Sequence, residues 1–401
     1  MRFYGDYKNH SRKARIIAWL MDLILAPVYR ILSQHFLTGA FADRKSDAHE
    51  KIEKILLVRL DHIGDLLMAT PAIAALRKKF PEARIDLLGG ESAKAIFKGN
   101  PYIDHVYTFD ATWYDPRRGG EIWPVDVAGT VLRLRRIGYD VAVDLRGDFR
   151  VIFLFLWLAG ARRRIGFRDL GLGFLLTDST GYDLEKPYMD INFDALSLLG
   201  IDRSDRRTRF YVPAEDEAFV DSLLAANGIK WEDHLIGINP TTNRVEQRWH
   251  ESKFAELCDR LIETFGVKVI FVAAGSDSAV VELVRKEMKR RSIDLSGKID
   301  LNQLGALLKK CILYIANDSG PMHLSISLGT PTIGIFGTTS VKRSWPYGSE
   351  SPFFKAISAE VDCPRPCYRN DCEDRKCFDL ITVDQVYQSA CGMLKRMAEK
   401  W

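Results

Sequence analysis

Short apolar runs alternate with helical segments twice along this chain, and no other sequence feature constrains the fold as strongly. Runs such as Ile55–Leu60 and Val141–Leu145 have the length and continuity of buried strands. The alternation begins again at Leu235–Asn239, after proline and acidic residues near Tyr211–Glu217. Strands that alternate with helices form parallel sheets with helices on both faces. The sequence therefore predicts an α/β chain of two doubly wound, Rossmann-like domains that face each other across a cleft.

The length and composition agree with this organisation. The 401 residues exceed one ordinary domain of ~100–150 residues. We predict Rossmann-like domains at 51–212 and 213–382, with an extension at 1–50 and a final helix at 383–401. A formal net charge of +4 is too small to indicate nucleic-acid binding. A mean hydropathy of −0.12 excludes a polytopic membrane protein.

Two local expectations concern the first domain. The apolar spacing predicts a helix over Leu66–Phe80, with Thr70 as a possible cap and Pro71 at its first position. Val151–Leu158 is a further apolar segment, which we count with the strands.

The N-terminal extension contains a basic and apolar segment. The apolar run Ile16–Tyr29 is interrupted by Asp22, so it is too short and too polar to span a bilayer. In a helix, one face would collect the polar residues Arg12, Arg15, Asp22, Arg30 and Ser33. We therefore expect residues 11–38 to form an amphipathic helix in a membrane interface, with basic side chains against anionic headgroups. Packing on the protein's own surface is the alternative.

Polar loops follow several predicted strands, and doubly wound sheets bind ligands at these carboxyl ends. After the first strand, the segment Asp61–Asp65 places Gly64 at a tight turn. Asp65 then stands where a carboxylate could act as general base on a substrate hydroxyl. An aspartate that only caps the following turn is the alternative.

The loops of the second half are suited to phosphate. Small polar residues precede a helix that Pro321 opens, so free N–H groups and the helix dipole could hold a diphosphate. The candidates there are Asp318, Ser319, Gly320, Pro321, Met322 and His323. A second loop adds hydroxyl and guanidinium groups that favour phosphate oxygens, from Thr241, Thr242, Arg244 and Arg248. In a third loop, the carboxylate of Asp277 could accept ribose hydroxyls. These loops contain neither a P-loop lysine motif nor G-x-G-x-x-G.

Four of the seven cysteines lie in one segment: Cys363, Cys367, Cys372 and Cys377. An odd number of cysteines excludes complete pairing within one chain. The four are reduced thiols, a structural zinc site or two disulfides. Since the spacing has no C-x2-C knuckle, it does not decide among these alternatives.

Taken together, these segments resemble glycosyltransferase family 9, the ADP-heptose:lipopolysaccharide heptosyltransferases. The resemblance runs from about Lys54 to the C-terminus. Its most specific pieces are Ile63-Gly64-Asp65 through Thr70-Pro71-Ala72, then Asp318 through His323, and Gly329-Thr330-Pro331 leading to Phe336-Gly337. The cysteine-rich segment is also similar to one found in many members.

The resemblance implies a GT-B fold with the acceptor on the first domain, the nucleotide on the second, and a last helix that packs back on the first. It implies an inverting, metal-independent transfer, without a cofactor, of heptose from an ADP-sugar to the lipopolysaccharide core. The enzyme would work on the cytoplasmic face of the inner membrane. Asp65 matches the family's base. The Ser319–Met322 amides, Thr241, Thr242 and a basic side chain would hold the leaving ADP.

The chain departs from the family pattern at two donor-site positions. Gln247 stands where the family usually has lysine, so that Arg248 or Arg244 would supply the charge. Ala279 stands where some members have a ribose-binding glutamate, for which Asp277 or Glu282 could substitute. The alternatives are a glycosyltransferase with another nucleotide sugar, a GT-B-like nucleotide-sugar epimerase and an inactive membrane-bound scaffold.

Overall fold

The chain folds into two compact units. The computed structural model describes residues 12–35, 51–111, 124–203, 205–345, 351–367, 369 and 372–398. The units are Met1–Arg206 and Arg207–Trp401, and the sequence predicts the boundary a few residues later, between Val212 and Pro213. Among the described residues, no helix combines the length and apolarity needed to cross a membrane.

The first unit is built around a parallel six-stranded sheet of order β3-β2-β1-β4-β5-β6. Its strands are β1 (Lys54–Arg59), β2 (Arg84–Gly89), β3 (His105–Thr108), β4 (Val141–Asp144), β5 (Arg163–Phe167) and β6 (Asp178–Thr180). Its helices are α1 (Arg12–His35), α2 (Ile63–Lys79), α3 (Ser92–Ile96), α4 (Pro124–Ile137), α5 (Phe149–Val151) and α6 (Tyr188–Ser197). The strand order reverses between the neighbours β1 and β4, so the loops after these two strands flank the usual ligand position.

The second unit repeats this topology, in the order β12-β11-β10-β7-β8-β9. Its strands are β7 (Leu235–Asn239), β8 (Lys268–Phe271), β9 (Ile293–Asp294), β10 (Cys311–Asn317), β11 (Thr332–Phe336) and β12 (Phe354–Ser358). Its helices are α7 (Ala214–Ala226), α8 (Glu251–Phe265), α9 (Ser278–Glu287), α10 (Leu301–Lys310), α11 (Gly320–Ser327), α12 (Val341–Ser344), α13 (Lys376–Asp379) and α14 (Val383–Ala398). Here the order reverses between β7 and β10. The predicted pair of doubly wound sheets is confirmed.

The last helix, α14, packs on the second unit. Val386, Ala390 and Leu394 lie in one apolar cluster with residues of α8 and the second sheet. Tyr387 adds a hydrogen bond of 2.8 Å between its hydroxyl and that of Thr264. Contact of this helix with the first domain, which the resemblance implies, stays a prediction.

Helix α2 begins earlier than predicted and continues through Pro71. It spans Ile63–Lys79, with Thr70 and Pro71 in its interior, so the expectation that Thr70 caps the helix and Pro71 opens it is wrong. Proline has no N–H, and the carbonyl of Leu67, four residues earlier, therefore loses its backbone partner. The Thr70 hydroxyl donates to that carbonyl over 2.7 Å and replaces the missing bond.

The apolar segment Val151–Leu158 is helical, which corrects its assignment as a strand. Helix α5 continues directly into a π-helical turn over Ile152–Trp157. Phe155 is fully buried whereas Phe153 is 38% exposed. A short apolar run does not distinguish a buried strand from a helix by periodicity alone.

Helix α1 packs on the first unit through one face and exposes an apolar stripe on another. Tyr29 is buried in a cluster with Leu172, and the carboxylate of Asp22 accepts the Leu172 N–H over 2.6 Å. Asp22 therefore faces the protein, as in the alternative that α1 packs on the protein's own surface. The exposed stripe consists of Ile16, Leu20, Ile24 and Val28. Residues 1–11 and 36–50, and the side chains of Arg12, Arg15, Arg30 and Ser33, lie outside the described part.

Thr70→Val tests how α2 passes Pro71, because valine keeps the β-branched shape but cannot donate to the Leu67 carbonyl. We expect the free energy of unfolding, measured by urea denaturation, to fall by about 1–3 kcal/mol. In a Pro71→Ala background the backbone regains an N–H, and the same substitution should cost at least ~1 kcal/mol less. Equal costs in the two backgrounds would contradict this account.

Candidate functional site

A buried arginine holds Asp65 beside the carboxyl end of β1. Arg59, the last residue of β1, is 3% exposed, and its Nη2 lies 3.2 Å from Oδ1 of Asp65. Arg59 is itself fixed, because its Nη1 donates to the Leu145 carbonyl and to Oδ1 of Asn192. Asp65 lies in the first turn of α2, and its side chain is 19% exposed. One carboxylate oxygen is thus anchored, and the other has no partner in the described part of the chain.

Asp61 completes a charged cluster around Arg59. Its Oδ1 lies 2.8 Å from Nε of Arg59, and its Oδ2 lies 2.6 Å from Nη1 of Arg146. Burial opposes ionisation of Asp61, but the two guanidinium groups outweigh it and hold the pKa of this carboxyl below its ordinary value. The N-cap of α2 is His62, and no side-chain hydrogen bond caps the helix. Asp65 is therefore not a capping residue.

The loop after β4 lies next to this cluster, and the sequence did not predict that it contributes to the site. Asp144 is buried and accepts hydrogen bonds from the N–H groups of Arg146, Gly147 and Asp148. These bonds fold the loop so that Arg146 reaches Asp61. The strand predicted at Val141–Leu145 could have indicated this contribution, because ligands bind beyond the strand ends where the strand order reverses.

Two buried asparagines connect the loops of the second unit. Oδ1 of Asn239, at the end of β7, accepts the N–H and the hydroxyl of Thr241 over 2.8 and 2.7 Å. Asn317, at the end of β10, donates to the Pro240 carbonyl over 2.8 Å and accepts the Trp249 N–H over 2.9 Å. Both asparagines hold the predicted phosphate loops in position, and neither is among the predicted site residues.

Arg248 and Asp277, predicted in separate loops, form an ion pair of 2.9 Å. Arg248 is 9% exposed and also donates to the Thr242 carbonyl over 2.8 Å. Asp277 thus orients Arg248. Arg244 points elsewhere, because its Nη2 donates to the Arg369 carbonyl over 2.8 Å. Of the two arginines proposed to replace the family's lysine, Arg248 is the one fixed among these loops.

Two buried hydroxyl groups at the ends of neighbouring strands indicate a polar ligand. Oγ of Ser319, after β10, and Oγ1 of Thr338, after β11, are buried and have no hydrogen-bond partner within the described residues. Ser319 is the N-cap residue of α11, yet its side chain makes no capping bond. A buried hydroxyl without a partner costs about 1–3 kcal/mol. A ligand that bonds both hydroxyls would remove that cost.

Other predicted residues have structural roles. Met322 is fully buried, and its N–H bonds the Ser319 carbonyl over 3.1 Å. Since Pro321 has no N–H, the amides left for a ligand are those of Ser319 and Gly320, which corrects the predicted set of amides. His323 is 4% exposed and lies 3.6 Å from the Asp318 carboxylate.

Gly64 also differs from its prediction. It lies inside the first turn of α2, and it is not among the glycines with positive φ. The expected tight turn at this glycine is therefore wrong.

Comparison with known proteins identifies the family. The family model described as glycosyltransferase family 9 (heptosyltransferase) matches residues 130–372, more than half of the chain. The chain belongs to this family. It is 28% identical over 286 residues to lipopolysaccharide heptosyltransferase 3 of Escherichia coli K12, covering 69% of this chain and 80% of that protein.

Two solved structures have the same fold. The family 9 glycosyl transferase of Veillonella parvula matches with a TM-score of 0.71 and 23% identity, over 86% of this chain and 97% of its own. The E. coli ADP-heptose lipopolysaccharide heptosyltransferase II matches with a TM-score of 0.69 and 20% identity, over 86% and 99%. The predicted enzyme class, a glycosyltransferase of the heptosyltransferase family, is confirmed.

Asp144 makes the stability of this family 9 enzyme depend on pH. Burial raises its pKa to about 6 from 3.8, although three backbone N–H groups favour the charged form. The folded chain therefore binds this proton more tightly than the unfolded chain. The stabilising contribution is present near pH 4 and is lost as the pH rises through 6.

Asp144→Asn carries no such proton. Relative to the wild type, its free energy of unfolding should rise by about 2–3 kcal/mol between pH 4 and pH 7. Urea denaturation at several pH values measures this difference. A difference that does not change with pH would contradict the prediction.

Proposed function

We propose that this protein is an inverting heptosyltransferase that moves heptose from ADP-heptose to a lipopolysaccharide core acceptor, at the cytoplasmic face of the inner membrane. One observation carries the proposal: Asp65 is accessible and anchored at the position where the strand order of the first sheet reverses. The names of the two E. coli relatives support the donor and the acceptor. Another nucleotide sugar or an epimerase reaction has less support, because the family model describes heptosyltransferases.

Asp65 acts as the general base in this proposal. Its unanchored oxygen takes the proton of the acceptor hydroxyl while that hydroxyl oxygen attacks the anomeric carbon opposite the diphosphate. Arg59 holds the other oxygen, so the carboxylate keeps one orientation. Asp61 balances the buried charge of Arg59. This pairing is necessary because an unpaired buried charge is strongly destabilising.

The second unit supplies the groups that the leaving ADP needs. Negative charge that develops on the diphosphate meets the Arg248 guanidinium, the N–H groups of Ser319 and Gly320, and the hydroxyls of Ser319 and Thr338. Thr241 and Thr242 fix the loop that carries Arg248, because their hydroxyls donate to Oδ1 of Asn239 and to the Arg244 carbonyl. A diphosphate stabilised in this way leaves without protonation, so one carboxylate is sufficient and no metal ion is required.

Asp65→Asn tests the assignment of the base, because the amide keeps the size of the side chain but cannot accept the proton. We expect kcat for heptose transfer to fall at least ~100-fold. Calorimetric affinity for ADP should stay within about twofold, since nucleotide contacts come from other residues. Glu82→Gln, an exposed residue at the amino end of β2, is the matched control. Unchanged turnover in Asp65→Asn would remove Asp65 as the base.

Peripheral membrane contact through α1 is the second part of the proposal. The stripe residues follow i, i+4 spacing and are between 38% and 61% exposed: Ile16, Leu20, Ile24 and Val28. Asp22 and Tyr29 attach another face of the helix to the first unit. The stripe is therefore left for the headgroup boundary of a bilayer, where such helices insert their apolar side chains. Basic residues precede it in the sequence and favour anionic lipids.

Replacing Leu20, Ile24 and Val28 together by serine should release the protein from anionic phosphatidylglycerol vesicles. Each apolar side chain that is buried in the bilayer contributes about 1.5–3 kcal/mol to the free energy of membrane binding. We therefore expect the partition constant measured by cosedimentation to fall at least ~10-fold. Serine at Val125, Leu132 and Leu283, which are exposed elsewhere, should leave vesicle binding unchanged. Full vesicle binding by the α1 variant would show that the stripe does not contact membranes.

A further inference from the structure

Asn192 of α6 is a fully buried polar residue to which the proposed transfer assigns no role. Its Nδ2 donates to the carbonyls of Tyr188 and Met68 over 3.0 and 3.3 Å, and its Oδ1 accepts from Nη1 of Arg59 over 2.9 Å. An asparagine amide has two N–H donors and one carbonyl acceptor. Every polar group of this side chain is therefore bonded, and the bonds point its oxygen at Arg59.

These bonds close a ring with the candidate base. Asp65 and Met68 lie one turn apart on α2. From Asp65 the ring runs through the guanidinium of Arg59 to the amide of Asn192, and it returns to α2 at the Met68 carbonyl. The helix that carries Asp65 and the arginine that holds its carboxylate are thus fixed against the same buried side chain.

Asn192 also sets the rotation of the Arg59 guanidinium. A guanidinium is a planar fork whose N–H donors have fixed directions. Its Nη1 has two N–H groups, and these bond the Leu145 carbonyl and Oδ1 of Asn192. With Nη1 held at two points, Nη2 faces Oδ1 of Asp65 over 3.2 Å. Without the bond to Asn192 the fork could tilt, and its contact with Asp65 would lengthen.

The amide fixes the guanidinium without adding charge to the cluster. Arg59 already faces two carboxylates, those of Asp61 and Asp65, over 2.8 and 3.2 Å. An anionic side chain in place of Asn192 would compete with Asp65 for the same positive charge. A neutral acceptor leaves that charge to the two aspartates.

We propose that Asn192 is a positioning residue of the transfer reaction, which acts through Arg59 to hold the Asp65 carboxylate in the orientation that accepts the proton of the acceptor hydroxyl. The inference rests on the proposed function, in which Asp65 is the general base. Asn192 is fully buried behind Arg59 and contacts no substrate. Its removal therefore lowers kcat and leaves nucleotide affinity unchanged.

The first experiment compares Asn192→Leu with Asn100→Leu, which changes another buried asparagine of the first unit. Leucine keeps the branching of the side chain but has no polar atom. We expect kcat for heptose transfer to fall at least ~10-fold in Asn192→Leu, because a small displacement of a catalytic group is costly. Calorimetric affinity for ADP in this variant, and kcat in Asn100→Leu, should stay within about twofold of the wild type.

Because Asn192→Leu could unfold, Asn192→Thr is the second variant, and urea denaturation checks the fold of both. A threonine hydroxyl in a helix can bond the carbonyl four residues earlier, here that of Tyr188, but it is too short to replace the bond to Arg59. The same loss of kcat is expected. Wild-type kcat in a folded variant at this position would overturn the role of Asn192 and leave the proposed function standing.

The second experiment repeats both Asn192 substitutions in the Asp65→Asn background. If Asn192 acts through the Asp65 carboxylate, the residual kcat should fall less than about twofold there. Equal fold losses in the two backgrounds would show that Asn192 only stabilises the fold, and would overturn the proposal. Undiminished turnover in Asp65→Asn itself would remove the proposed base, and the role of Asn192 with it.

Discussion

Both units depend on the same constraint, the parallel pairing of the two central strands between which the strand order reverses. In the first unit β1 pairs with β4, and in the second β7 pairs with β10. Each pair brings two loops together that are distant in sequence. In each unit a buried polar residue at a strand end then joins the two loops, Arg59 in the first and Asn317 in the second.

The two buried residues differ in charge, and the difference matches what each site has to hold. Asp65 is an anion, and a buried guanidinium fixes it and is itself balanced by Asp61. In the second unit the proposed ligand is the anion, so a buried carboxylate at the strand ends would repel it. Asn239 and Asn317 join the loops without charge there. The positive charge is left to Arg248, which Asp277 orients from the side.

The parts of the structure that could be predicted from the sequence are those with a local signal. Continuous apolar runs indicate strands, and Asp65 is conspicuous because it follows one. Arg59 gives no such signal, since it ends an apolar strand and its partners lie up to 133 residues away in sequence. The pairing of Arg248 with Asp277 likewise exists only after β7 and β8 have aligned. The continuation of α2 through Pro71 could not be predicted either, because it depends on one hydrogen bond from the hydroxyl of Thr70.

Asp22 shows how a single polar residue can decide which face of an amphipathic helix packs on the protein. The bond from the Leu172 N–H to Asp22 and the burial of Tyr29 select one rotation of α1. That rotation leaves Ile16, Leu20, Ile24 and Val28 exposed together. The residue that excludes a membrane-spanning segment is therefore also the residue that orients the stripe we propose for the membrane surface.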